Sequence, residues 1–89
     1  MAAEYTPISC DRHDFLEIAC LYHYVITIET TDGQRVTGQA VTTRTHSDKS
    51  EWLEFNTDEI SKQIRLDHIR AITPTPERAV FKRQLISHL

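Results

Sequence analysis

The first regular pattern of apolar positions along the chain has the period of an α-helix. From about Asp11 to Tyr22, apolar residues recur every three or four positions, and Pro7 lies upstream, where it does not interrupt the segment. Asp11 is predicted to cap the N-terminus of this helix. The apolar residues form two stripes: Leu16, Ala19 and Cys20, and then Phe15, Ile18 and Tyr22. Contact with a small barrel needs only one of these stripes. Either the whole wide apolar surface lies flat on the barrel, or one stripe binds a partner, and both interpretations remain open.

Beyond the helix, alternation of apolar and polar positions predicts five short strands. They run over Tyr24–Glu29, Gln34–Thr45, Glu51–Asn56, Ile60–Leu66 and Ile69–Thr73. Asp32-Gly33 supplies the residues of a tight hairpin turn between the first two strands. The turn Thr57-Asp58-Glu59 separates the third strand from the fourth, and Asp67-His68 makes a very short link to the fifth.

The alternation also predicts which side chains face the core. Five apolar residues of the third and fourth strands are expected to point inward: Leu53, Phe55, Ile60, Ile64 and Leu66. Gly38, in the middle of the second strand, is expected where that strand bends sharply to serve both halves of a small barrel.

The segment from residue 76 to residue 89 has an ambiguous pattern. Pro76 suits the first position of a helix, and Phe81, Leu85 and Leu89 follow at four-residue spacing. The β-branched Val80 and Ile86 instead favour an added strand or a segment lying loosely on the sheet. The structure of this segment stays open.

Together these elements predict one domain over residues 1–89, mainly β in an α+β class. A helix over about 11–22 precedes a five-stranded antiparallel barrel over about 23–73. Sm-like and OB-like barrels both fit five short strands. A helix before the first strand and a very short link between the last two strands are Sm-like features, so an Sm-like barrel is expected.

No apolar run approaches the roughly 20 residues that span a bilayer, and no secretory signal pattern begins the chain, so a cytoplasmic protein is expected. In that reducing compartment Cys10 and Cys20 are predicted to be thiols. Two Cys-x-x-His pairs, with His13 and His23, raise the idea of zinc. On one helix these pairs lie about 15 Å apart, too far for a shared ion. Neither a metal nor a cofactor is expected.

Charge is distributed unevenly along the chain. Residues 1–33 carry six acids and one base, residues 34–75 carry six of each, and residues 76–89 carry one acid and three bases. The N-terminal third is therefore an acidic module. Such a surface repels nucleic-acid phosphate and favours a basic partner.

Direct RNA binding and catalysis are the two alternatives to a protein-binding role. Direct RNA binding would use basic residues such as Arg65, Arg70, Arg78, Lys82 and Arg83. Those residues form no basic stripe interleaved with aromatics, so direct contact with nucleic acid is not expected. Catalysis would need an activated nucleophile, a pair of carboxylates in a pocket or a glycine-rich phosphate loop, and none is evident with only two glycines. We do not expect an enzyme.

Two blocks of residues resemble a known family. The first is Tyr5-x-Pro7-Ile8-x-Cys10-Asp11 with Asp14-x-Leu16-Glu17-x-Ala19-Cys20, followed by Asp32-Gly33, and the second is Arg65-Leu66-Asp67-x-Ile69. They resemble the Rof (YaeO) family of small inhibitors of Rho-dependent transcription termination. The resemblance spans about residues 5–70 and does not extend to the last fourteen residues. Arg12 departs from the family pattern, because it places a base where that pattern resembles a run of acidic residues.

The resemblance implies an Sm-like antiterminator that binds the N-terminal, RNA-binding region of Rho through an acidic surface and keeps transcripts out. The matching candidates are Asp11, Asp14 and Glu17 as charge-pairing groups, with Phe15 and Ile18 as apolar contacts. Each has a structural alternative: the acids stabilise the start of the helix, and the two apolar residues belong to the core. The expected partner is Rho, and the expected working unit is a monomer.

Overall fold

The structure, a computed structural model that describes residues 4–87, consists of one α-helix and a six-stranded antiparallel sheet. The helix, α1, spans Cys10–Leu21. The strands in chain order are β1 Val25–Thr30, β2 Arg35–Thr45, β3 Glu51–Thr57, β4 Ile60–Arg65, β5 Ile69–Pro74 and β6 Gln84–Leu85. A 3-10 turn over Leu66–His68 forms the short link between β4 and β5. The predicted mainly β, α+β class is confirmed.

Helix α1 begins one residue earlier than predicted, because Ser9 rather than Asp11 is its N-cap. The Ser9 hydroxyl accepts a hydrogen bond from the backbone N–H of Arg12 at 3.4 Å. Asp11 therefore lies within the first turn, where the helix dipole favours a carboxylate. The helix ends at Leu21 with Tyr22 as its C-cap, and His23, with a left-handed φ of 53°, then turns the chain toward β1.

The hairpin between β1 and β2 has the predicted turn. Gly33 has a φ of 89°, a left-handed conformation that glycine adopts without steric cost. Thr30 closes the turn, because its backbone N–H donates to the carbonyl of Gln34 at 2.9 Å. The local sequence alone is sufficient to set this connection.

Gly38 is required for a different reason from the one predicted. A Cβ atom at this position would lie 2.7 Å from the carbonyl oxygen of Asn56 and 2.8 Å from the Phe55 ring. The glycine thus allows β2 to approach β3 closely. The irregularity in β2 lies further on, between Ala40 and Thr42, where the register with β3 shifts.

The predicted closure into a five-stranded barrel is wrong. The strand order is β4-β3-β2-β1-β5-β6, so β4 and β6 are the two edges of an open sheet. One edge of β5 pairs with β1, and Ala71 on the other edge pairs with Leu85 of β6. The C-terminal segment thus occupies part of the edge that β4 would need to close the barrel.

The C-terminal segment adds a short strand, which was one of the alternatives left open by the sequence. Phe81 and Ile86 are both buried and belong to the core. Phe81 and Leu85 do not lie on a helix, so the helical alternative is not adopted there. Leu89, the third residue of that spacing, lies outside the described residues. This segment therefore contributes to the core as well as to the sheet.

The core lies between α1 and the sheet. Its buried apolar residues come from α1, from the strands and from the C-terminal segment: Leu16, Ala19, Ile26, Ile28, Ala40, Leu53, Phe55, Leu66, Ile69, Ile72, Phe81 and Ile86. Of the predicted inward residues, Ile64 is half-buried. Ile60 is 57% exposed, so its assignment to the core is wrong. Ile60 opens the edge strand β4 directly after the turn, beyond the reach of the core.

Candidate partner-binding surface

The segment before α1 is fixed to the sheet by a buried ion pair. Arg65 Nε lies 2.6 Å from Asp67 Oδ1, and Arg65 Nη2 donates to Asp67 Oδ2 at 3.1 Å. Both side chains are buried. Asp67 Oδ2 also accepts a hydrogen bond from the backbone N–H of Thr6 at 2.9 Å. These contacts position the chain that leads into the helix.

Tyr5 contacts the same network. Its ring lies under the Arg65 guanidinium, with 5.9 Å between the guanidinium carbon and the ring centroid. Its phenol donates to Glu51 Oε2 at 3.2 Å. Burial, followed by the nearby Glu51 carboxylate, raises the pKa of Tyr5 above its ordinary value. The two sequence blocks that carry the family resemblance are therefore in direct contact.

The three predicted acids lie on the outer surface of α1. Asp11, Asp14 and Glu17 are all exposed, with about one turn between successive members. Asp14 and Glu17 line a shallow depression together with Glu51 from the start of β3. The structure thus adds a fourth carboxylate from a different element to the acidic row.

His13 lies between two of these carboxylates. Its Nδ1 is 3.1 Å from Glu17 Oε1, and its Nε2 is 3.6 Å from Glu51 Oε1. The His13 side chain is 19% exposed, whereas the Glu17 side chain is 60% exposed. The imidazole therefore bridges α1 and β3 beneath the exposed acids.

The two predicted apolar contacts have different environments. The Phe15 ring is half-buried and packs against Phe81, with 5.2 Å between the centroids. Ile18 is half-buried against the core but also lines a second depression with Asp14, Glu17 and Leu21. Leu21 is 73% exposed. The apolar part of the surface is therefore centred on Ile18 and Leu21, and Phe15 mainly holds the C-terminal segment.

Arg12, the base within the acidic segment, reaches away from the acidic row. Its Nη1 donates to the backbone carbonyl of Ile86 at 3.5 Å. The side chain is half-buried and contacts the C-terminal segment. It therefore helps to connect that segment to α1.

Three residues of this surface were missed by sequence reasoning. His13 and Glu17 have the i, i+4 spacing of neighbours on a helix, so this contact was visible in the sequence. Leu21 follows Ile18 by three positions and was also recognisable. Glu51 was not, because only the tertiary fold brings the start of β3 close to His13.

The arginines that direct RNA binding would use are partly committed to ion pairs. Arg65 is buried in its pair with Asp67. Arg83 donates to both oxygens of Glu29, at 2.7 and 3.1 Å, and holds the pKa of that carboxyl below its usual range. Arg70 is exposed on the sheet. Arg35 lines one depression on the sheet with Arg83 and another with Arg70, and Glu29 lies in both.

Both cysteines are free thiols, with Cys10 exposed and Cys20 half-buried. Burial, followed by the charge of Glu17, raises the pKa of Cys20 to about 11. Across residues 4–87, no three His, Cys, Asp or Glu side chains are grouped so that they could hold a metal ion. In the same part of the chain, no helix is long and apolar enough to cross a membrane.

The fold is that of a small α+β protein whose helix α1 carries a row of exposed carboxylates. The family model described as "Modulator of Rho-dependent transcription termination (ROF)" matches residues 7–86. The chain belongs to this family of modulators of Rho-dependent termination, and the resemblance found in the sequence is confirmed. The match also corrects the expected extent of the resemblance, because it continues through most of the C-terminal segment.

Curated relatives and a solved structure agree with this assignment. The protein named "Protein rof" from Escherichia coli strain K12 is 36% identical over 70 residues, which cover 78% of this chain and 81% of the relative. "Protein rof" from Shigella flexneri matches with the same identity and coverage. The structure titled "YaeO bound to Magnesium from Vibrio cholerae O395" superposes with a TM-score of 0.73 at 20% identity, covering 93% of this chain and 97% of that one. This last likeness supports the fold alone.

Proposed function

We propose that this protein inhibits Rho-dependent termination by binding the N-terminal RNA-binding region of Rho through the acidic surface of α1. The docking surface consists of Asp11, Asp14, Glu17, Ile18, Leu21 and Glu51. The observation that carries the proposal is the row of exposed carboxylates on α1. Glu51 of β3 extends this row, and the exposed Leu21 lies beside it. Membership of a family of termination modulators supplies the process in which this surface acts.

The chemistry of the surface suits a site that normally holds RNA. A region that loads single-stranded RNA attracts phosphates with basic groups and stacks bases on apolar platforms. The carboxylates of the docking surface offer those basic groups an alternative partner, and Ile18 and Leu21 offer an apolar contact. If this protein occupies the RNA-binding site of Rho, the transcript cannot load there.

In this account the protein works by binding and not by catalysis, as a monomer, and without touching the transcript. Phe15 stays a predicted contact with Rho, and it also packs on Phe81. The exposed carboxylates point to a basic protein partner, because they would repel an RNA backbone.

The proposal is tested by binding of the purified protein to full-length Rho, followed by transcription in vitro from a Rho-dependent template. We expect a complex that weakens as salt is raised, because exposed charges are screened beyond about 10 Å at 0.1 M salt. Read-through should increase in proportion to the fraction of Rho that is bound. A complex with unchanged termination, or increased read-through without a complex, would contradict the proposal.

A further inference from the structure

His13 occupies an unusual place within the docking surface. Each nitrogen of its ring faces a carboxylate from a different element: Glu17 on α1 at 3.1 Å and Glu51 on β3 at 3.6 Å. A neutral imidazole has one N–H donor and one acceptor, whereas a protonated imidazole has two donors. Only the charged form can therefore donate to both carboxylates at once.

We propose that His13 is a pH-responsive positioning residue, whose protonation joins Glu17 to Glu51 and weakens the docking of Rho. This inference rests on the proposed function and adds a regulation to the same site. When His13 is neutral, the docking surface keeps its full negative charge for a basic partner. When it is charged, one positive charge enters the row and engages an oxygen of each of two carboxylates.

Other charged or ionisable groups face His13 from α1 and from the N-terminal segment. Cys10 and Asp14 on α1 line the same depression as His13. From the N-terminal segment, Tyr5 donates to the second oxygen of Glu51. The raised pKa of Tyr5 keeps this phenol protonated through the neutral range. Histidine is the side chain whose charge ordinarily changes between pH 5 and 8.

Arg65, the arginine that contacts Tyr5, is already paired with a carboxylate. Its guanidinium lies over the Tyr5 ring and forms an ion pair with Asp67. It therefore adds little net positive charge to the docking surface. Protonation of His13 therefore removes a substantial fraction of the net negative charge of the docking surface.

The test is the affinity of the protein for purified Rho at about pH 6 and about pH 8 at constant ionic strength. We expect binding about fivefold weaker at the lower pH, the effect of one unit charge at about 4 Å in water. His13→Gln keeps a hydrogen-bonding side chain without a titrating charge, and should lose most of this pH dependence. The matched control is His46→Gln, because His46 is exposed and stacks on Trp52, with 4.7 Å between the ring centroids.

A second variant approaches the same contact from β3. Glu51→Gln removes one of the two carboxylates and should also reduce the pH dependence, so the test does not depend on the folding of a single variant. If wild type, His13→Gln and Glu51→Gln all show the same pH dependence, the inference is overturned. Failure of the wild type to bind Rho at about pH 8 would instead contradict the proposed function, so the two failures are distinguishable.

Discussion

Asp14 and Glu17 are the residues on which the proposed electrostatic contact depends most directly. Both are exposed on α1 and neither is part of the core. We predict that Asp14→Lys combined with Glu17→Lys lowers the affinity for Rho by at least about tenfold, mainly through slower association, because such charges steer encounter. Stopped-flow or surface-binding kinetics with purified Rho would measure this.

The matched control for that variant is Glu59→Lys combined with Glu77→Lys. Both residues are exposed, and together they change the total charge by the same amount. Glu59 already has a left-handed backbone, with φ of 65°, and lysine accepts it no worse than glutamate. Equal association rates for the two double variants would show that total charge, and not the docking surface, governs binding.

Leu21 tests the apolar half of the docking surface. It is 73% exposed at the end of α1, so Leu21→Ser removes a contact from the surface without leaving a cavity in the core. We expect faster dissociation from Rho, since loss of apolar contact acts mainly on the off-rate, and an unchanged melting temperature. Ile60→Ser is the comparison, because Ile60 is 57% exposed on the edge strand β4. Similar losses in both variants would mean that Leu21 has no special role.

At the scale of single residues, the sequence predicts contacts that lie within one element. The exposed acids of α1 were placed by helical spacing, and the His13–Glu17 contact follows from the same rule. Glu51 depends on which strand packs beside the helix, and periodicity contains no such information. Phe15 was ambiguous, because the partner that half-buries it, Phe81, comes from the segment with the least regular pattern.

The N-terminal segment is the element whose position depends on a buried polar network. The Asp67 carboxylate accepts hydrogen bonds from the Arg65 guanidinium and from the backbone N–H of Thr6. Removal of this carboxylate takes a partner from both groups. We predict that Asp67→Ala lowers the free energy of unfolding by about 3–5 kcal/mol, because it removes the carboxylate that forms an ion pair with a buried arginine. Urea denaturation followed by circular dichroism would measure the loss.

The comparison for this variant is Glu29→Ala, which breaks the exposed pair with Arg83. Exposed ion pairs are strongly screened, so its effect on unfolding should be much smaller. The Asp67→Ala variant should also bind Rho less well, because the segment leading into α1 loses its anchor. Equal stability of the two variants would contradict the role given to the buried pair.

At the scale of elements, turns and alternating strands could be predicted, and sheet closure could not. Asp32-Gly33 specifies its hairpin locally, so the sequence predicted that turn correctly. The added strand β6 has only two residues and pairs with a strand earlier in the chain. Its position depends on the burial of Phe81 and Ile86, which no local pattern contains.

For the whole molecule, the sequence predicted the separation of charge, and the fold converts it into distinct surfaces. Three of the six acids of the N-terminal third lie on α1, whereas Glu29, from the same third, lies on the sheet in an ion pair with Arg83. An acidic helix on a small sheet is consistent with a partner that is basic where it meets RNA. The central claim is that this protein and RNA compete for Rho.

That claim is tested most directly by displacement of a fluorescent single-stranded RNA from purified Rho. The account predicts that the wild-type protein releases the RNA in a concentration-dependent manner, and that the Asp14→Lys, Glu17→Lys variant requires much higher concentrations. The same RNA should show no anisotropy change with the protein alone. If the protein binds the RNA by itself and leaves the affinity of Rho for RNA unchanged, the account is wrong and direct RNA binding is the function.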